Sequence, residues 1–450
     1  MSIKFHEKNQ AIFMGLQNGS GGKEGVTSGA TGDIWHAVDT SLLGSDTAVA
    51  CTSITGDPTR ETGSYAYLGD SLSRDEYTFE KDKYVDLQID TFQTILANTT
   101  LSGTDSADSP NHPTWTVNKE PLFRLFQICG GAAFSDVTNR IVTITNASDS
   151  PDYGTVDYRK SSPDDGTNDK LYKFWDLRGS VDVTASVGEV PSLKFSLKGN
   201  AVDPIPVPKQ AADFGTQTTR VASSILPSTI ITAQIIEIDP SETWLGTALP
   251  STATFSAVGS KCRLTFTAAH GEAKGSITRL KVTDSSSVFT GEYVAYAVDI
   301  FTLEFHKKGN TTTVASTNNL FTLARCTAVA KSFCFSTLTA PNFFGFDYQR
   351  YTTGCDQGFS KGGVPTDVTV SMLEDQANAP GVFLPDVNAG KFFAVVLKFG
   401  KDSNLSAPKQ AVTYMWDKLQ LANVKQGKIA SYLARDCSFR NTGNSYIFYQ

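Results

Sequence analysis

Tyr172-Lys-Phe-Trp-Asp-Leu-Arg-Gly-Ser-Val-Asp-Val-Thr-Ala-Ser-Val-Gly-Glu-Val-Pro-Ser-Leu-Lys-Phe-Ser-Leu-Lys-Gly199 decides the fold of this chain. Val181, Val183, Ala185 and Val187 fall on one side of an extended backbone, and Asp182, Thr184 and Ser186 on the other. After Gly188-Glu-Val-Pro191, Leu193, Phe195 and Leu197 alternate with Lys194, Ser196 and Lys198. Alternation with period two describes a strand with one buried and one wet face. A long hairpin of this kind carries unpaired backbone groups along its edges and needs neighbours to cover them. The stretch therefore points to a sheet closed by copies of itself, and away from a catalytic pocket.

The same grammar recurs on both sides. In Tyr84-Val-Asp-Leu-Gln-Ile-Asp-Thr91, Val85, Leu87 and Ile89 oppose Asp86, Gln88 and Asp90. Thr366-Asp-Val-Thr-Val-Ser-Met-Leu373 echoes that segment, and Lys418–Phe439 echoes Ser180–Gly199 as a strand, a Gly-centred turn and a second strand. Repetition of layout reads as a diverged internal duplication. Glu120–Gly131 carries the clearest helix: Pro121 suits the first helical position, and Leu122, Leu125, Phe126 and Cys129 share one face. Gly130 or Gly131 then supplies the left-handed ending. So short and apolar a helix is expected to plug the side of a sheet, and Asp386–Lys391 stands at the matching place in the second half.

Elsewhere, a strand is expected at Ala11–Leu16, a loop at Gln17–Gly32, a polar loop at Arg60–Gly69, and a strand pair around Glu76–Glu80 and Lys83–Leu96. Asp203-Pro-Ile-Pro-Val-Pro208 excludes a helix or a central strand. From about Ser241 to Leu323 short strands separated by Gly and Ser turns predict a small separate all-β module. The domain expectation is thus 1–54 as an N-terminal strand and extended loop, 55–240 as a first β domain, 241–323 as the insert, and 324–450 as a second β half.

Bulk properties set limits. The 450 residues suffice for two to four domains at about 100–200 residues each. Hydrophobic residues make up 40% and charged residues 19%, which suits an ordered globular protein. The net charge of −7 disfavours gripping nucleic acid by phosphate neutralisation, although a chain of this kind can enclose DNA without holding it. Seven cysteines are scattered with no CxxC spacing, as expected for a reducing cytosol. Cys129 and Cys334, the latter between Phe333 and Phe335, read as small buried hydrophobes. The N-terminus lacks a signal-peptide layout, and no stretch reaches the ~18 apolar residues of a membrane span.

Little in the chain suggests chemistry. The five histidines (6, 36, 112, 270, 306) have no metal-ligand spacing. His270-Gly-Glu272 reads as a turn rather than an acid/base pair. No G-x-S-x-G elbow accompanies the serines, and Cys355-Asp356 is a poor thiol dyad. Ser162–Asp169 resembles part of a calcium loop but lacks its closing Glu. No phosphate-cradling Gly loop of the G-x-x-x-x-G-K type is present. No catalytic residue, no metal site and no cofactor is expected.

Four segments in order resemble the tail tube proteins of long-tailed bacteriophages. They are Glu61-Thr-Gly through Leu68-Gly69, the helix Pro121–Gly130, Leu177–Val183 with Gly188–Gly199, and Val202-Asp-Pro204. The likeness covers roughly residues 55–210 and continues more loosely through 325–450. The insert, with Leu264–Gly275, Phe289–Val294 and Ile300–Phe305, is similar to small β domains of phage tails and fibres. The chain is long for a tube subunit, and its first fifty residues match poorly.

The resemblance implies a mainly β fold: two tube-type β-barrel or sandwich halves with a flanking helix, plus an inserted small all-β domain, Ig-like or a β-barrel. It implies a virion structural protein whose homo-oligomeric rings stack into a hollow conduit for DNA ejection. A duplicated chain favours a trimeric ring with pseudo-sixfold symmetry over a hexamer. The expected partners are other copies of the chain and other tail proteins, with DNA passing through without specific binding and no membrane. The expected place is the virion tail, assembled in the host cytoplasm. Asp86, Gln88, Asp90, Asp182, Thr184, Ser186, Thr369 and Ser371 are the candidate lumen-facing residues, and Lys194 and Lys198 offset the acidic ones. Ser102, Asp105, Asp108 and Asn111 mark a candidate inter-ring loop. The alternatives are another tail or virion structural protein, a host-surface-binding β protein using Phe289, Tyr293 and Tyr296, or a glycan hydrolase.

Overall fold

The computed structural model describes residues 10–16, 48–49, 51–68, 74–94, 121–136, 141–146, 153–161, 167–201, 203–208, 230–238, 246–248, 253–258, 261–272, 277–284, 291–306, 321–326, 331–352, 357–362, 367–373, 392–400, 411–429 and 432–449. The fold is mainly β, with one helix among the described residues. All the described strand pairings are antiparallel, and they join nineteen strands into one large sheet, beside a seven-stranded sheet and a two-stranded one.

The first part of the chain contains β1 (Gln10–Leu16), β2 (Ala48–Val49), β3 (Ser53–Thr55), β4 (Thr59–Leu68), β5 (Arg74–Phe92), α1 (Pro121–Ile128), β6 (Gly131–Asp136), β7 (Ile141–Asn146), β8 (Gly154–Ser161), β9 (Asn168–Ser186), β10 (Ser192–Ala201) and β11 (Ile205–Pro208). β9 has two jobs. Its first half pairs with β8 and β11, and its second half with β10. β10 pairs in turn with β5, and β5 with β3. β1 pairs with β8 and β2.

β12 (Ile230–Ile238) starts the pattern again. The seven-stranded sheet interrupts it: β13 (Gly246–Ala248), β14 (Ala253–Val258), β15 (Lys261–Phe266), β16 (Ile277–Asp284), β17 (Gly291–Ala297), β18 (Thr302–His306) and β19 (Phe321–Cys326). This sheet has its own core, including Phe255, Leu264, Leu280 and Phe305. It meets the large sheet where Val298 packs with Val396, Met415, Tyr446 and Phe448.

The chain then runs through β20 (Lys331–Ser332), β21 (Phe335–Gly345), β22 (Asp347–Thr352), β23 (Gln357–Gly362), β24 (Asp367–Leu373), β25 (Phe392–Gly400), β26 (Ala411–Ile429), β27 (Tyr432–Asn441) and β28 (Ser445–Tyr449). The pairings of the first part recur here in the same order. β12 joins β20 and β25 as β1 joins β2 and β8; β25 joins β26 as β8 joins β9. β26 joins β27 and β28 as β9 joins β10 and β11, while β27 joins β24 and β24 joins β21 as β10 joins β5 and β5 joins β3. The duplication thus covers eight strands of each part, whereas the β4–β5 and β6–β7 pairings and α1 have no counterpart among the described residues of the second. By its partners, Ile230–Ile238 is the first strand of the second repeat and does not belong with the first part, so the seven-stranded sheet lies inside the second repeat.

Three joints fuse the repeats. β9 pairs with β21 through Ser186↔Thr337, Thr184↔Thr339 and Val183↔Ala340. β7 pairs with β28. Buried Gln93, just past β5, donates from Nε2 to the Tyr449 hydroxyl at 2.8 Å and accepts from the Tyr414 hydroxyl at 2.5 Å. Beneath the joined sheet lies one core, to which both repeats and α1 contribute. The Phe126 ring of α1 meets Phe195 of the first repeat at 5.6 Å and Phe344 of the second at 5.8 Å. Gly130 closes the helix at φ 83, the left-handed conformation open to a residue without Cβ.

Several sequence expectations need correction. Thr59–Leu68 is a strand hydrogen-bonded to Arg74–Tyr84, not a polar loop, and β5 is one 19-residue strand rather than a pair. Its backbone is satisfied by a ladder that composition does not advertise. Lys418–Phe439 does not turn at Gly427: the strand runs on to Ile429, with Gly427 opposite Ala434. Cys334 is exposed, because alternation that buries Phe333 and Phe335 turns the residue between them outward. Val187 is 57% exposed, since β9 ends at Ser186 and Val187 belongs to the turn. Asp386–Lys391 and Gln17–Gly32 lie outside the described residues.

Candidate functional site: one polar face across both repeats

In an antiparallel sheet, directly opposed residues share a face. Following opposed residues from strand to strand gives continuous rows across the repeat joint. One row runs Phe92, Ser192, Thr184, Thr339, Thr369, Ser438 and Asn423; the next runs Ser186, Thr337, Ser371, Asp436 and Lys425. Below them lie Asp90, Lys194 and Asp182, then Gln88 and Ser196, then Asp86 and Lys198. Asp86, Gln88, Asp90, Asp182, Thr184, Ser186, Thr369 and Ser371 therefore occupy one face of one continuous sheet, and each is exposed or half-buried. The opposite face holds Val85, Leu87, Ile89, Val181, Val183, Leu193, Phe195, Val368 and Val370 in the core.

The face is rich in hydroxyls, and its charges alternate in sign. Asp86 stands opposite Lys198, Lys194 stands between Asp90 and Asp182, Asp367 is opposite Arg440, and Asp436 is opposite Lys425. It is not an acidic surface. Sequence reasoning missed Asp436, Arg440 and Lys425; alternation along Lys418–Phe439 would have placed them once the turn was moved past Gly427.

Some of these side chains have structural work. The Asp182 carboxylate accepts from the Asn342 backbone N–H at 2.8 Å. Asn342 has φ 50 and sits in the bulge where the β9–β21 register shifts. Ser53 donates to the Asp90 carboxylate at 2.6 Å, and Ser371 donates to Asp436 at 2.5 Å. At the rim, hydrogen bonds from Lys83 and Arg60 hold the Asp203 carboxyl below its usual range.

Two carboxylates with raised pKa values lie away from this face. Burial pushes Asp157 up to about 7, against the pull of Lys173 directly opposite, and among the described residues neither of its oxygens has a hydrogen-bond partner. Burial pushes Asp417 up to about 6, although the Asn444 N–H and side-chain amide and the Tyr446 hydroxyl all donate to it. Asp157 is fully buried, whereas Asp417 is half-buried. Arg159 and Asp169 form a buried ion pair at 2.8 Å.

His270 is a structural tie. Its Nδ1 accepts from the Glu272 N–H at 3.2 Å, which leaves Nε2–H to donate to the Asp299 carbonyl at 2.8 Å. The ring is buried against Phe266. Among the described residues no group of three or more His, Cys, Asp or Glu side chains could hold a metal ion. Also among the described residues, no helix is long and apolar enough to cross a membrane. Ser102, Asp105, Asp108, Asn111, His6, His36, His112, Phe289 and the Cys355-Asp356 pair lie outside the described residues.

No protein-family model matches the chain, and no curated protein matches it.

Proposed function

We propose that this chain is a virion structural protein, the tail tube subunit of a long-tailed bacteriophage, and that its rings stack into a conduit for DNA. One observation carries this reading: an eight-strand pairing order occurs twice, fused edge to edge into a single sheet with one polar face. A chain that already joins two copies of a unit through their strand edges is built to continue the series with further chains. Three chains then give six units, a trimeric ring with pseudo-sixfold symmetry; a hexamer of chains is the alternative.

The polar face is the lumen in this reading. Paired charges and hydroxyls offer phosphates neither a cationic trap nor uniform repulsion, so DNA slides past without specific binding. The function is mechanical, with no turnover and no cofactor. The seven-stranded sheet, seated on the outside of the second repeat, is a decoration available to other tail proteins. A second reading, host-surface binding by this module, draws on its exposed neighbours Ile300 and Phe301.

Negative-stain microscopy of the purified full-length chain tests the proposal. Hollow rings or tubes are expected, and they should persist when residues 246–326 are removed. A protein that stays monomeric at every concentration contradicts it. Loss of surface binding with intact tubes in the deletion variant would assign the recognition role to the insert.

A further inference from the structure

We infer that the ring joint is an antiparallel strand pairing in which the outer edge of β26 in one copy takes the outer edge of β3 in the next. This rests on the tube reading and deepens it by naming the partner, the two edges and their order.

The chain contains its own template. Within one molecule, the second half of β9 pairs on its outer side with β21. β21 stands in the second repeat where β3 stands in the first, each next to the strand that pairs with the returning hairpin strand. β26 stands where β9 stands. The counterpart of the β9–β21 joint is therefore β26 with a β3 that no single chain can supply. Among the described residues, Asn423–Ile429 pairs only with β27, and Ser53–Thr55 only with β5. Thr52, Ser53, Thr55, Lys425 and Gln426 are exposed. An open edge of this length is a template for another strand.

Charge does not decide the match, because Asp57 beside β3 is held by Lys160 at 3.3 Å, Asp86 stands opposite Lys198 and Lys425 stands opposite Asp436. The stagger of the strands agrees with the match. On the row through Ser186 and Lys425, β9 ends at once, but β26 continues four residues to Ile429, about 13 Å at the usual rise per residue. Successive units thus step along the strand direction, as a closed wall of tilted strands requires. The two edges differ, so the contact is head-to-tail. It generates a ring rather than a two-fold dimer.

The test uses the full chain with Ser53→Cys combined in turn with Asn423→Cys, Lys425→Cys and Gly427→Cys, all on the polar face, and a short thiol cross-linker. The single variants control for native cysteines. Interchain cross-linking is expected in at least one double variant and in no single variant. A second arm uses Lys425→Pro and Gln426→Pro. Neighbouring N–H groups in a strand point to opposite edges, so one of the two removes an outward donor only; that variant should keep the far-ultraviolet spectrum and lose assembly. Rings without any of the three cross-links, and unaffected by either proline, overturn the joint but leave the tube reading standing. A wild-type chain that never assembles overturns both.

Discussion

β9 and β26 are each 19 residues long and stand at the same position in their repeats, yet their outer edges differ. β9 is enclosed: β10 covers one side of its second half and β21 the other. β26 has β27 on one side of its second half and, among the described residues, nothing on the other. The tips reflect this. Tyr432 and Leu433, where the second hairpin returns, are 69% and 50% exposed, whereas the matching strand of the first hairpin opens with Ser192 and the buried Leu193. One topology, used twice, is finished in one place and left open in the other. Natural proteins protect their strand edges, so in the proposed tube the difference would mark the direction in which the ring continues.

Glycines offer the sharpest way to break the comparison. At the enclosed joint, Gly345 has φ +97, and a Cβ there would overlap the Gly179 carbonyl oxygen. Gly345→Ala is expected to cost about 3 kcal/mol or more, since it combines a left-handed conformation with a backbone clash. At the open edge, a Cβ on Gly427 would meet only the Asp436 carboxylate, at 3.0 Å. Gly427→Ala should stay within about 1 kcal/mol. Urea denaturation of both variants checks this; equal losses would mean that the two joints are alike.

The two carboxylates with raised pKa values separate the repeats by pH. Asp157 in the first and Asp417 in the second both have folded pKa values, about 7 and about 6, above the ordinary 3.8. Each therefore favours the folded state while protonated. Their contribution to stability is greatest below about pH 4, falls as pH rises through 4 to 6 for both groups, continues to fall to 7 through Asp157 alone, and then levels. The slope contributed by each group is at most about 1.4 kcal/mol per pH unit. Thermal melts from pH 4 to 8 should show this decline, and Asp157→Asn should remove its upper part. A melting temperature that climbs steadily from pH 4 to 7 and is unaltered by Asp157→Asn would contradict the assignment.

A smaller effect distinguishes polar residues that hold the joint from those that only face outward. Asp182→Ala removes the acceptor for the Asn342 N–H and should cost about 1 kcal/mol. Thr369→Ala, on the exposed part of the same row, should change stability by less than about 0.5 kcal/mol. Chemical denaturation of the pair measures the difference directly.

The hairpin was legible because its signal is local. Val181 to Ser186 and Ser192 to Leu197 each alternate without interruption, and Gly188 takes φ 84 in the turn between them, where the sequence places it. The helix was legible for the same reason: Pro121 begins it, and Gly130 ends it. What escaped depends on distant partners. Nothing near Thr59–Leu68 announces that Arg74–Tyr84 will satisfy its backbone, and nothing near Asp182 announces Asn342, 160 residues away. The repeat was visible in two segments, but its full extent rests on short strands such as Ala48–Val49 and Lys331–Ser332, which are too brief to carry a pattern. The polar face was half-legible: alternation marks which residues are wet, whereas the neutralising cations opposite them emerge only from the register.

Hydrogen exchange of the backbone amides, compared between dissociated and assembled protein, tests the central difference most directly. Amides of residues 180–186 should be protected in both states. Those of residues 423–429 whose N–H groups point away from β27 should exchange freely in the dissociated chain and become protected on assembly. Protection of residues 423–429 that is already complete in the dissociated chain would contradict the account, because the edge would then have no place for a neighbour.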